Sequence, residues 1–571
     1  HHVQTFFFFF DCLLYSVHMK LDLELLVPSL KSVFSGDIET SEESLEKYSR
    51  DASMFKIVPQ MVVFPKSSLD IQKLVKWTSE QNETRRDILN LTVRSAGTCM
   101  AGGAINDSII IDVTRYMHNV ISVTPEYAIV QPGCYYRDFE PKTLEKNVIF
   151  PSYTASRELC ALGGMYGNNC AGEKTLKYGK FNEYILSSKV IFTDGNEYIV
   201  EPLNRPQLEE KMKLKTFEGE VYRSVWELIQ NNGAEIINAK PIVSKNSAGY
   251  AIWNVWNAKT QIFDLNQLLV GSQGTLGIVT EMKIRLVPVE PVTAMMVTFL
   301  PDLKNLGELV NICKTVNPTS IESFDDYSLT FAFKFFSDFV KQLGLFGGAQ
   351  LGLRFIPEVF MMMRTGLPKL ILMTEVTGNN QEESLAQLHS LEKEVKTKFD
   401  YRSRVMKHNE AEKYWKIRRE SFNLLRKHVK GLHTAPFIDD VVIPVEHLSE
   451  FLPKIQSILD REKFIYTIAG HAGNGNFHII PLLDFKKEGI ADQVMRLSDE
   501  VYDVIASYHG SITGEHNDGI VRTPYLGKQF DAGILKLFGS IKKVFDKQNM
   551  LNPNKKVNGS IEMIQKYLIK E

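Results

Sequence analysis

Between residues 57 and 200 short apolar runs alternate with breaks at Gly, Pro and Asn, as at 109–113 (IIIDV), 128–133 (AIVQPG) and 188–200 (SKVIFTDGNEYIV). Runs of this length bounded by turn formers predict β-strands. Ser68 precedes Ile71, Leu74 and Val75, the three-and-four spacing of one helical face, and predicts a helix capped by Ser68 between the first strands. A second strand-rich block, 268–287, ends at Pro288 and Pro291, which mark a domain boundary. From Pro291 to about Tyr508 strands such as 369–376 (KLILMTEV) alternate with helical segments such as 381–398, predicting an antiparallel sheet with helices on one face. The pattern is that of an α+β protein.

A chain of 571 residues exceeds the size at which one hydrophobic core stops growing. The division expected is an extension at 1–18, a first domain at 19–290, a second at 291–508 and a C-terminal segment at 509–571. Residues 331–364 are rich in Phe, Leu and Met, but their longest charge-free run, 342–353, is too short to span a bilayer. Two readings stand: an apolar helical hairpin on its own domain, and a peripheral membrane contact. Phe6 to Phe10 follow no Lys or Arg and run into Asp11, so they are not read as a signal peptide, and the residues before Met19 are read as translated upstream sequence. The expected location is cytoplasmic, with membrane-surface contact only through 331–364. A hydrophobic fraction of 44% and a net charge of -2 describe a folded chain without the basic excess that nucleic-acid binding needs. The six cysteines form no C-x-x-C pair, which argues against an iron–sulfur cluster or a cysteine zinc site.

Candidate chemistry lies in four glycine-rich segments. The first, 93–104 (VRSAGTCMAGGA), reads by itself as a turn between strands, and equally offers successive backbone N–H groups able to cradle a phosphate. The second, 161–179 (ALGGMYGNNCAGEKTLKYG), joins glycines to Asn168 and Asn169, which can pair with a flat heterocycle while glycine admits the backbone. The third, 270–281 (VGSQGTLGIVTE), puts Gly271, Gly274 and Gly277 before a strand rather than between strand and helix, which disfavours a nicotinamide site. Gly167, Gly172, Lys174 and Thr175 nearly match a P-loop, but Glu173 sets a negative charge where phosphates would be wrapped.

In this order the three segments resemble the vanillyl-alcohol-oxidase family of FAD enzymes, with its phosphate loop, GG-x-x-x-NN-x-x-G segment and G-S-x-G-T-L-G strand. The resemblance covers about residues 57–288 and implies a PCMH-type FAD-binding domain followed by a substrate, or cap, domain whose antiparallel sheet is covered by helices. It implies that Ser95, Gly97, Thr98, Cys99 and Gly103 hold the pyrophosphate. Pro151, Ser152, Gly164, Gly167, Asn168, Gly172, Gly274 and Ile278 would meet the rest of FAD.

The fourth segment, 469–480 (AGHAGNGNFHII), sets His471 and His478 across a glycine loop, and 510–519 (GSITGEHNDG) adds Glu515 and His516. Two imidazoles and a carboxylate make a three-ligand divalent site with a position left for substrate. The odd separation of the histidines would face them oppositely on one strand, so a bulge at Gly473 and Gly475 is expected. H-x-G-x-G-N-x-H followed by G-E-H resembles the D-lactate, glycolate and D-2-hydroxyglutarate dehydrogenase branch of that family. This implies zinc on His471, His478 and Glu515, His516 as base, Arg418 of 414–421 (YWKIRRES) for the substrate carboxylate, and Asn552 as a flavin contact. The expected reaction oxidises a D-lactate-like 2-hydroxy acid, the electrons leaving to a quinone, a cytochrome or an electron-transfer protein. The alternatives are a flavin-dependent alcohol or sugar oxidase, and the flavin subunit of a glycolate-oxidase-like complex. The family usually carries Asp at Asn474 and often Gly at Asn517, so the lost carboxylate is expected to alter how a metal-bound histidine is oriented, and the added side chain to narrow the pocket.

Overall fold

The computed structural model describes residues 25–85, 88–334, 366–428 and 431–570. The expected extension 1–18 and nearly all of 331–364 lie outside them. In the N-terminal half, Met61–Phe64 and Leu91–Arg94 both run parallel to Ile109–Asp112, which sits between them. The crossover is the helix Ser68–Thr84, which buries Ile71, Leu74 and Val75; its N-cap is Ser67 rather than Ser68. Leu91–Arg94 then releases the first glycine-rich segment from its C-terminal end. A second sheet, fully antiparallel, runs in the order Val120–Val123, Tyr127–Val130, Ile278–Arg285, Ile185–Ile191, Glu197–Val200. Its central strand, Ile278–Arg285, is the one that the third glycine-rich segment enters, so segments nearly two hundred residues apart meet at one end of this half. The chain's last part returns there too: Leu91 N–H donates to Met550 O and Asn552 N–H to Leu91 O.

The C-terminal half is built on a sheet of eight described strands. The order is Arg402–Lys407, Val292–Leu300, Leu370–Gly378, Ser320–Asp325, Ile465–His471, Asn476–Leu483, His433–Thr434, with Val441–Val442 also on Asn476–Leu483, and every pairing is antiparallel. Helices cover both faces, not the one face expected. Met295, Val297 and Phe299 pack with Tyr414, Trp415 and Ile417 of the helix His408–His428. Alternate residues Ala294, Met296 and Leu300 join the core that holds Leu306 and Leu309 of Leu306–Lys314 and Leu388 and Leu391 of Gln381–Phe399. Two buried faces explain why these strands read as unbroken apolar runs instead of alternating with polar residues. Among the described residues no helix is long and apolar enough to cross a membrane.

Candidate active site

The fourth glycine-rich segment is a hairpin rather than one bulged strand. Ile465–His471 ends in a tight turn over Ala472–Asn474, and Asn476–Leu483 returns with His471 opposite Asn476 and His478 opposite Ala469. Chain reversal, not an inserted residue, puts both imidazoles on one face, because positions two apart on paired strands share a side. Gly475 makes the turn: its φ is +67°, and a Cβ there would lie 1.9 Å from Ile443 O.

Glu515 and His516 arrive on a loop tied down by Asp440. Asp440 Oδ2 accepts from Thr513 Oγ1 (2.6 Å), Glu515 N–H (2.8 Å) and His516 N–H (2.7 Å), and Oδ1 accepts from Asn476 Nδ2 of the hairpin (3.0 Å). The Nε2 atoms of His478, His471 and His516 then lie 3.2, 3.6 and 3.6 Å from Glu515 Oε1. Lys245 Nζ lies 3.3 Å from the other oxygen, Oε2, leaving Oε1 to the imidazoles. One ligand atom from each of His471, His478 and Glu515 falls within a 4.8 Å cluster, the donor set of a divalent site.

Each Nδ1 is backed by a buried carboxylate. His471 Nδ1 faces Glu322 Oε1 at 2.6 Å, while Asp439 faces His478 Nδ1 with Oδ1 at 3.2 Å and His516 Nδ1 with Oδ2 at 2.7 Å. Burial by itself would raise the Asp439 and Glu322 carboxyls. His516 and His478 outweigh it at Asp439, and Arg418 and His471 at Glu322, so both are held below the usual carboxylate range. Burial alone would lower the imidazoles; Asp439 and Glu515 outweigh it at His478, which rises to about 10, and Asp439 and Asp440 outweigh it at His516, which is also raised.

The cluster opens into a cavity of about 760 Å³. His478, Glu515, His516 and Arg418 line one part of its wall, and Ser95, Gly97, Thr98, Cys99, Gly103, Gly164, Gly167, Asn168 and Gly274 line another. The space there is open where a flat group is to fit: a Cβ on Gly164 or Gly167 would come no nearer than 3.8 Å to any neighbour. The remaining predicted residues sit behind the wall. His471 is buried beside Glu515, Ser152 Oγ donates to Cys170 O, and Pro151 and Ile278 lie off the cavity. Gly172 is needed for backbone packing, since a Cβ would lie 2.0 Å from Tyr153 O. Asn552 is a brace rather than a lining residue: its Nδ2 donates to Gly103 O and Gln273 O, and its Oδ1 accepts from Thr92, tying two glycine-rich segments together.

The two departures from the family pattern resolve locally. Asn474 lies in the hairpin turn, where its carbonyl accepts from Ser244, and the carboxylates orienting the imidazoles come from Glu322 and Asp439 instead. Asn517 has φ of +70°, a conformation Gly adopts freely and Asn tolerates. Its side chain donates to Gly271 O and accepts from Lys556 Nζ, so it braces the loop instead of narrowing the cavity.

Sequence reading did not find Glu322, Asp439, Asp440 or Lys245, each of which meets the motif from far along the chain. Glu173, the residue that spoils the P-loop, pairs with both oxygens to Arg419 Nη2 at 2.8 and 2.9 Å, joining the two halves through a residue of the cavity wall. Near it Glu375 accepts from Trp415 Nε1, and burial followed by the Glu173 charge raises its pKa to about 7. A carboxyl whose folded pKa is raised stabilises the fold fully only at acid pH, and that contribution is lost as pH rises through the window from about 4.5 to about 7. Glu375→Gln keeps an acceptor for Trp415 and removes the titration. Urea unfolding is therefore expected to show the variant gaining on wild type by at most about 1.4 kcal/mol per pH unit across that window, and parallel stability curves would refute this.

Comparison with known proteins gives two family matches: residues 59–200 fit the FAD binding domain, and residues 290–556 fit the FAD linked oxidases, C-terminal domain. The chain is 26% identical over 560 residues to the D-2-hydroxyglutarate dehydrogenase of Escherichia coli (strain K12), covering 94% of this chain and 52% of that protein. It is 23% identical over 539 residues to the mitochondrial D-lactate dehydrogenase (cytochrome) of Arabidopsis thaliana, covering 93% of this chain and 79% of that one. The chain spans about half the length of the first of these relatives. In fold it is similar to p-cresol methylhydroxylase with substrate bound (TM-score 0.64, 14% identity, 91% of this chain and 94% of that one). It is equally similar to alkyldihydroxyacetonephosphate synthase (TM-score 0.64, 15% identity, 93% and 85%).

Proposed function

Because the chain belongs to the FAD-linked oxidases, joining their FAD-binding domain to their C-terminal domain, we propose that it is a dehydrogenase of a D-2-hydroxy acid, D-lactate-like or D-2-hydroxyglutarate-like, yielding the 2-oxo acid. One observation carries the reading: a single cavity has the glycine-rich segments on one part of its wall and His478, Glu515, His516 and Arg418 on another. The names of the relatives supply the substrate class and its hand.

FAD would be held by Ser95, Gly97, Thr98, Cys99, Gly103, Gly164, Gly167, Asn168 and Gly274, with Asn552 bracing two of the loops, and His471, His478 and Glu515 would take a divalent metal, zinc by the donor set. When bound, FAD supplies the hydride acceptor and the metal supplies a Lewis acid that lowers the pKa of the substrate hydroxyl. Arg418 provides the cation for the substrate carboxylate. His516 Nε2 takes the hydroxyl proton, since Nδ1 is committed to Asp439, and the C2 hydrogen leaves with its electron pair. Electrons then pass to a quinone, a cytochrome or an electron-transfer protein.

The test is anaerobic visible spectroscopy of the purified protein with D-lactate, L-lactate and D-2-hydroxyglutarate in separate cuvettes. Bleaching of the flavin bands by one D-acid, abolished by chelator and restored by zinc, is the expected result. A flavin spectrum that none of the acids bleaches overturns the substrate class, and bleaching indifferent to chelator overturns the metal and favours the alcohol oxidase alternative.

A further inference from the structure

We propose that Asp439 and Glu322 are positioning residues that each lock one metal ligand to one substrate-facing group, so that the metal and the substrate machinery are set by the same two carboxylates. The inference rests on the assignment of His471, His478 and Glu515 as metal ligands. Asp439 divides its oxygens between His478 and His516, with Oδ1 at 3.2 Å and Oδ2 at 2.7 Å from the Nδ1 atoms. Glu322 divides its own between His471, with Oε1 2.6 Å from Nδ1, and Arg418, with Oε2 2.5 Å from Nη2. Both carboxylates are fully buried, so protein groups alone face these oxygens, and Glu322 Oε2 meets Arg418 as an ion pair.

The logic lies in the count of acceptors. An imidazole that offers Nε2 to a metal or to a proton must carry its hydrogen on Nδ1, and that hydrogen needs an acceptor. In the proposed roles His478 gives Nε2 to the metal and His516 gives Nε2 to the substrate proton, so both need an acceptor at Nδ1 together. A carboxylate has an acceptor oxygen for each. An amide has one acceptor and one donor. In Asp439→Asn, one ring must therefore face an N–H, accept at Nδ1 and carry its hydrogen on Nε2. If that ring is His478 the metal loses a ligand; if it is His516 the base arrives already protonated at the atom that should take the proton. In Glu322→Gln the same division falls between His471 and Arg418, which can only donate.

The experiment prepares both variants with flavin bound, and flavin absorbance and thermal melting report whether they fold. Zinc retention is measured against graded chelator by atomic emission. KM and the limiting rate of flavin reduction are measured at saturating zinc. Asp439→Asn is expected to lose about 10–100-fold in zinc affinity or in the limiting rate, and Glu322→Gln about 10–100-fold in zinc affinity or in KM. A folded variant that keeps zinc affinity, limiting rate and KM within about threefold of wild type overturns the assignment. Should neither variant fold, Asp439→Glu carries the test: it keeps two acceptor oxygens but moves them by one methylene, and is expected to lose about 10-fold in zinc affinity or in the limiting rate, whereas values within about threefold of wild type overturn the proposal. A wild-type enzyme that takes up no divalent metal overturns the metal assignment and this inference together, whereas a zinc-loaded wild type with tolerant variants overturns the coupling alone.

Discussion

Replacing His516 by alanine is expected to slow anaerobic flavin reduction by about 10²–10⁴-fold, the range that general-base removal covers, while flavin content and the melting temperature stay close to wild type. His516 lines the cavity, with Nδ1 fixed by Asp439 and Nε2 3.6 Å from Glu515 Oε1, so the change deletes the proposed proton acceptor without opening the fold. The backbone of residue 516 keeps its bond to Asp440, which does not depend on the imidazole. Stopped-flow bleaching at saturating substrate and zinc is the measurement. A limiting rate within tenfold of wild type would remove His516 from the chemistry and pass the role to another group on the cavity wall. Loss of the flavin spectrum would instead mean that the loop carrying it shapes the FAD site.

What the chain disclosed in advance depended on how closely the residues sit in sequence. The glycine-rich segments and the pair of histidine motifs were readable because each packs several ligand or small residues into about a dozen positions. The partners that orient them were not: Glu322 stands 149 positions before His471, and Asp439 stands 77 before His516. Nothing local distinguishes Glu322 on its strand, or the Asp439 and Asp440 pair after Pro436, from ordinary polar residues; only the sheet pairing of Ser320–Asp325 with Ile465–His471 brings Glu322 to the hairpin. The helix cover on both faces has a related cause. Met295 and Met296 look alike in the sequence, yet they face opposite layers, and an unbroken apolar strand already implied cover on both sides. Odd spacing alone fits a bulge as well as a hairpin, and Gly475 at φ of +67° is what permits a complete turn within the same residues.

Asp440→Ala should be the most destabilising change at the site, by about 3–5 kcal/mol, near the upper end for single substitutions. The carboxylate is fully buried and accepts four hydrogen bonds, from Thr513, Glu515 N–H, His516 N–H and Asn476. Alanine leaves these donors without their acceptor, and an unsatisfied buried donor costs about 1–3 kcal/mol, so even partial relaxation cannot recover the loss. The backbone adds to it, because residue 440 has φ of +64°, where alanine is strained and asparagine is tolerated. Asp440→Asn therefore separates the two effects: it keeps the conformation and one acceptor but turns an N–H toward donors, and is expected to cost roughly half as much. Urea unfolding followed by flavin fluorescence and far-ultraviolet circular dichroism reads both variants. If Asp440→Ala unfolds within about 1 kcal/mol of wild type, the loop that carries Glu515 and His516 is held by its other contacts. If it loses stability as expected but keeps zinc, the histidine hairpin and Glu515 find each other without Asp440, and the carboxylate serves the fold more than the metal.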